Sequence, residues 1–81
     1  MHSMVNVIED AVRSQTTTRL IRIKEVCNLT GISRSHIYLL ASKGMFPKSV
    51  DLIPGGAAKA WVEQEVHDWI NQRIAARNEE V

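Results

Sequence analysis

The chain has 81 residues, 44% of them hydrophobic, with ten lysines and arginines against nine aspartates and glutamates. That length predicts one domain with a small core, and that hydrophobic content argues against a wholly disordered chain. With no apolar run of about 18 residues, and no basic region ahead of a long apolar stretch at the N-terminus, neither a membrane span nor a signal peptide is expected.

In residues 3–14, Val5, Ile8 and Val12 recur at helical spacing, which predicts a short helix. Asn6 is its cap, and Glu9 completes a capping box. Gln15 to Thr18 reads as a linker, because three successive threonines are poor helix formers. An N-terminal arm, residues 1–18, therefore precedes a domain spanning 19–81. Arg19 to Ile23 is a short extended lead-in. Lys24 to Leu29 follows as a helix with Ile23, Val26 and Cys27 turned inward, and Gly31 stops it. Ile32 fills the turn, and Ser33 caps a second helix that runs to about Lys43 and ends at Gly44. Lys43 suits the negative end of the helix dipole, and Pro47 discourages resumption of helix.

Two short helices joined by a glycine-containing turn form a helix-turn-helix pattern. Ser49 to Ile53 is β-type, Pro54-Gly55-Gly56 is a strong turn signal, and Ala58 to Val62 is the return strand. This is a hairpin of the size called a wing. From Glu63 to about Arg77, Val62, Val66, Trp69, Ile70 and Ile74 mark an amphipathic helix facing inward. Trp61 and Trp69 are expected to cover the core. The fold class is mostly α with a small β-hairpin: a winged helix-turn-helix of three core helices, a wing and an N-terminal helical arm.

No catalytic constellation is visible. Gly55-Gly56 is too short for a phosphate loop, and Ser33, Ser35 and His36 lack a third group to orient a base. Cys27 is the sole cysteine, and His2, His36 and His67 have no metal-ligand spacing with it or with each other, so no metal and no cofactor is expected. Glu63, Glu65 and Asp68 read as a solvated helix face. The chain is not expected to be an enzyme.

Charge is unevenly spread. Residues 19–48 hold six basic residues (Arg19, Arg22, Lys24, Arg34, Lys43 and Lys48) against Glu25 alone, whereas residues 49–81 hold three basic against six acidic. A basic middle suits a polyanion. On the second helix, a 100° rotation per residue turns Ile37, Leu40 and Ala41 to the core side with Ser33, and Ser35, Leu39 and Ser42 to the opposite side. His36 and Lys43 lie on one flank, Tyr38 lies on the other, and Arg34 is in the first turn. A narrow outward face with hydrogen-bonding groups at its start suits a helix in the DNA major groove. Arg34 can pair with guanine or with a phosphate, and Ser33 and Ser35 can bind phosphate at the helix start. Leu39 is a large apolar residue on that face, open to a thymine methyl, a protein partner or solvent.

These residues carry a family resemblance. The run Thr30-Gly-Ile-Ser-Arg-Ser-His-Ile-Tyr38, the Gly44-Met-Phe-Pro-Lys48 segment, the two glycines at 55–56 and the Ala60-Trp61 before the last helix resemble the AlpA family of phage-type regulators. The likeness covers about Arg19 to Arg77. It implies a MerR-like winged helix-turn-helix that serves a bacterial prophage or integrative element as a transcriptional regulator or an excisionase (a recombination directionality factor). By this resemblance Ser33, Arg34, Ser35, His36 and Tyr38 match the recognition-helix motif, Lys43 and Lys48 match basic positions after it, and Gly55 and Gly56 match the wing tip. The pattern is departed from at Leu39 and at Ala57-Ala58, which stand where basic residues are frequent, and at Asp51, an acid where a base is frequent. Lys59 is the nearest replacement.

The expected function is sequence-specific binding of double-stranded DNA. Contacts are expected from Ser33, Arg34, Ser35, His36, Tyr38, Leu39, Ser42, Lys43 and Lys48, and from a wing in which Gly55 and Gly56 approach a phosphate and Lys59 neutralises another. Further expected partners are an integrase or other protein on the DNA and further copies of the chain bound cooperatively. The expected location is the cytoplasm, on the nucleoid. The alternative is a protein-interaction module that docks through Leu39 and the N-terminal amphipathic segment.

Overall fold

The computed structural model describes residues 18–79. The helix and capping box expected within residues 3–14 lie outside the described residues. In chain order the elements are β1 (Leu20–Ile21), α1 (Ile23–Thr30), α2 (Arg34–Ser42), β2 (Val50–Asp51), β3 (Lys59–Val62) and α3 (Glu63–Glu79). Three helices thus accompany a small antiparallel sheet of order β1-β3-β2.

The turn between α1 and α2 is built from local signals. Gly31 takes a left-handed φ of 76°, and its N–H donates to the Cys27 carbonyl at 2.8 Å. That is the conformation in which glycine escapes the Cβ penalty. The Thr30 hydroxyl donates to the Val26 carbonyl and accepts from the Ile32 N–H, closing the corner. Ser33 then caps α2, its hydroxyl accepting from the His36 N–H at 3.3 Å. At the far end Met45 N–H bonds to Leu40 O and Gly44 N–H to Ala41 O, with Gly44 at a φ of 74°. This pair of bonds is the glycine-terminated stop expected there.

The sheet corrects the expected plan. Arg19 to Ile23 is not simply an extended lead-in. Leu20 and Ile21 pair with Val62 and Trp61, so β3 is the central strand, and Ile23 already belongs to α1. The β-hairpin expected alone is therefore two strands of three. Its pairing is shorter than expected, Val50 opposite Ala60 and Asp51 opposite Lys59, extended by one bond from Leu52 N–H to Ala58 O.

The core consists of Ile21, Val26, Ile37, Phe46, Trp61 and Val66, with Ile23, Cys27, Ile32, Leu40, Ala41, Trp69 and Ile70 packed around it. Trp61 is only 1% exposed. Both indoles fasten the connection that follows α2: Trp61 Nε1 donates to Pro47 O at 3.0 Å and Trp69 Nε1 to Met45 O at 2.8 Å. Phe46, between those two carbonyls, meets Trp69 edge-on with ring centres 4.9 Å apart.

Ile74 was expected on the inward face of the last helix and is instead 44% exposed. α3 runs on to Glu79, so its apolar face continues past the residues able to cover it. Arg19 locks the start of α3 to the start of β1. Its carbonyl accepts the Glu63 N–H, and its guanidinium meets the Glu63 carboxylate at 2.7 Å and that of Glu25 at 3.6 Å.

Candidate nucleic-acid interface

α2 derives its outward face from its inward one. Ile37 is fully buried, and Leu40 and Ala41 pack against the core on the same side. Residues on the opposite side are thereby forced outward. Ser33, Arg34, Ser35 and His36 form an exposed first turn. Ser35, Leu39 and Ser42 follow one another along the exposed ridge, with Lys43 at its end and Lys48 exposed on the connection beyond. Leu39 is 46% exposed.

Hydrogen bonding narrows what these groups can do. The Ser33 hydroxyl accepts a capping bond, and the Ser42 hydroxyl donates to Leu39 O at 2.7 Å, which leaves its oxygen free to accept. Arg34, Lys43 and Lys48 make no ion pair with another described residue. α2 itself carries no acidic residue. The acids nearest in sequence are engaged elsewhere, Glu25 and Glu63 by Arg19 and Asp51 by Lys59. The outcome is a positive, solvent-facing stretch from Arg34 to Lys48, the property that draws a polyanion.

Tyr38 joins this helix to the sheet. Its ring lies over Trp61 at 5.9 Å between centres, in a tilted stack, and it remains 44% exposed. Trp61 and Lys59 alternate onto the same face of β3. The Tyr38 flank of α2 therefore abuts the hairpin face that carries Lys59 and its register partner Asp51. These two side chains pair at 2.5 Å, so the single cation of the hairpin is already matched by an anion.

At the hairpin tip Gly56 N–H donates to Ile53 O at 2.8 Å, closing a turn with Pro54 and Gly55 at its two central positions. Gly55 has a φ of 79°, as the second central residue of a type II turn requires. Gly56 thus spends its N–H inside the turn. The structure brings together Ser33, Arg34, Ser35, His36, Leu39, Ser42, Lys43 and, beside them, Tyr38. Gly55 and Gly56 stand apart from that cluster, beyond the Asp51–Lys59 pair.

Sequence reasoning missed the apolar character of the tip. From Leu52 to Ala58 no side chain carries a charge or a hydrogen-bonding group, and Ile53 is 61% exposed. The signal was present as seven consecutive uncharged residues around a turn, a place where Asn, Asp and Ser usually gather. Among the described residues no group of three His, Cys, Asp or Glu side chains could hold a metal ion, and no helix is long and apolar enough to cross a membrane.

Comparison with known proteins completes the description. Residues 19–74 match the family described as "Prophage CP4-57 regulatory protein (AlpA)". Over 62 residues, 76% of this chain and 68% of the relative, the sequence is 48% identical to a protein of Enterobacteria phage P4 described as "Uncharacterized protein ORF88". None of the solved structures matches the chain.

Proposed function

The chain belongs to the AlpA family of prophage regulatory proteins, and from that premise we propose that it binds double-stranded DNA sequence-specifically. In this reading residues 19–81 form a winged helix-turn-helix: α1 and α2 are the helix pair, and the β2–β3 hairpin is the wing. α2 lies in the major groove with its first turn toward base edges. Arg34 reads a guanine, and Ser33, Ser35 and His36 bond to phosphate or to neighbouring bases. Tyr38, Leu39 and Ser42 line the groove wall, and Lys43 and Lys48 neutralise phosphates. Gly55, Gly56 and Lys59 lie on the wing. The protein acts without a cofactor in the cytoplasm, on the nucleoid. It serves a prophage or integrative element as a transcriptional regulator or as an excisionase working beside an integrase, with several copies bound cooperatively.

The observation that carries this reading is the positive face, without an ion-pair partner among the described residues, of a capped helix whose other face is locked in the core. Binding to a duplex selected from a random pool, measured at several salt concentrations, tests it. Affinity is expected to fall linearly on logarithmic axes as phosphate neutralisation releases counterions. Absence of salt-dependent binding would sink it.

The exposure of Leu39 favours a second reading, a module that docks on a protein partner through Leu39 and the N-terminal segment. In that case Leu39→Ser abolishes partner capture and leaves the salt dependence on DNA unchanged.

A further inference from the structure

We propose that the hairpin tip engages DNA as an apolar wedge, with Ile53 and Pro54 pressed into the minor groove between base pairs. This rests on the DNA-binding reading above and adds a second mode of contact to it.

The tip has the composition of a buried surface in an exposed place. Leu52, Ile53 and Pro54 precede the glycines, and Ala57 and Ala58 follow. Leu52 and Ile53 are both exposed. Isolated exposed aliphatic residues need no explanation, but a whole hairpin end without one polar side chain does. It can bond to phosphate only through its backbone, and Gly56 has already committed its N–H to Ile53 O. The charge of the hairpin itself cancels in the Asp51–Lys59 pair. A contact with DNA here must therefore come mainly from shape and apolar burial rather than from charge.

The tip is also set in advance. Pro54 fixes one φ of the turn, and Gly55 supplies the positive φ that the next position demands. A Cβ on Gly56 would fall 3.3 Å from both Ile53 Cβ and Ile53 O, so glycine there leaves room for the Ile53 side chain to lie across the turn. Ile53 is β-branched and stiff about χ1. A firm aliphatic knuckle of this kind is the sort of group that unstacks a base step and kinks the duplex toward the major groove. The occupant follows from continuity. Through Tyr38 on Trp61 the base of the hairpin adjoins a flank of α2, so a duplex held on α2 brings its neighbouring groove toward the hairpin.

The test uses the full chain and a duplex selected from a random pool by the wild type, with 2-aminopurine placed at successive steps and bending read from circularly permuted fragments. Ile53→Ser is expected to weaken binding about tenfold, the scale of one aliphatic side chain returned to water, and to reduce the bend. It should also quench the 2-aminopurine signal of the unstacked step without changing the slope of affinity against salt. Ile53→Leu should restore all three. Ile53 is exposed, so an unchanged melting temperature is expected for both variants. Unchanged affinity and bend in Ile53→Ser, alongside a loss in Arg34→Ala, would overturn the wedge and leave the DNA reading standing. A wild-type chain that selects no duplex would overturn both.

Discussion

α2 and the β2–β3 hairpin are neighbours built on opposite principles. α2 is held from within: Ile37 is fully buried, and both helix ends are closed by hydrogen bonds. Its exposed side is polar and positive. The hairpin is held by two register pairs, one surface ion pair and a turn, and its exposed end is apolar and neutral. A helix anchored in the core can display unpaired charge, because its position does not depend on what its outer side chains do. The hairpin is anchored only at its base, where β3 pairs with β1 and buries Trp61, and its projecting end beyond Asp51 and Lys59 has no such anchor. It spends its single cation on its own cohesion and keeps only shape for display.

The difference can be broken most forcefully from the core. Trp61→Ala removes the side chain that bears on both elements and on the Pro47 carbonyl. It is expected to cost about 3–5 kcal/mol, enough to unfold a domain of this size in much of the population. Urea and thermal melting read the loss, and a melting temperature within a few degrees of wild type would show that the hairpin and α2 are held by something else. Trp69→Ala, at a less buried position, should cost about 2–3 kcal/mol by the same measurements.

Next in size is a change on the helix alone. Arg34→Ala should lose about 1–3 kcal/mol of discrimination between the selected duplex and random DNA. An equal loss on both would make Arg34 a phosphate contact. The smallest effect belongs to the hairpin. Lys59→Ala is expected to change stability by less than about 0.5 kcal/mol and to leave the salt slope unchanged, because Asp51 already neutralises the ammonium. A slope lower by one phosphate would show that DNA draws Lys59 away from Asp51.

How much of this was legible in the sequence depended on how local each signal was. The Gly31 stop, the Ser33 cap, the Gly44 terminus and the Pro54-Gly55 turn are each written within a few residues, and all stand in the structure. The pairing of Leu20 and Ile21 with Val62 and Trp61 was not legible. A two-residue strand has no period to detect, and its partner lies some forty positions away. Phe46 was visible as part of a motif but not as core for a related reason, since a core residue in an irregular connection belongs to no repeating face. Ile74 shows the converse: helical spacing identifies a face but not whether anything covers it. For the candidate interface, residue identity and orientation on α2 were readable. The cancellation of Lys59 by Asp51 depends on the strand register that sets them opposite each other, which residue identity alone does not give.

The two indole bonds have a practical consequence. The chain's only tryptophans, Trp61 and Trp69, both donate to the three-residue connection Met45–Pro47, at either side of Phe46. Tryptophan emission shifts in colour and intensity with the polarity and bonding around the indole. The molecule therefore carries its own optical gauge, with both emitters trained on the joint that sets the spacing of helix and hairpin. Detachment of that joint, by denaturant or by substitution, is visible without an added dye.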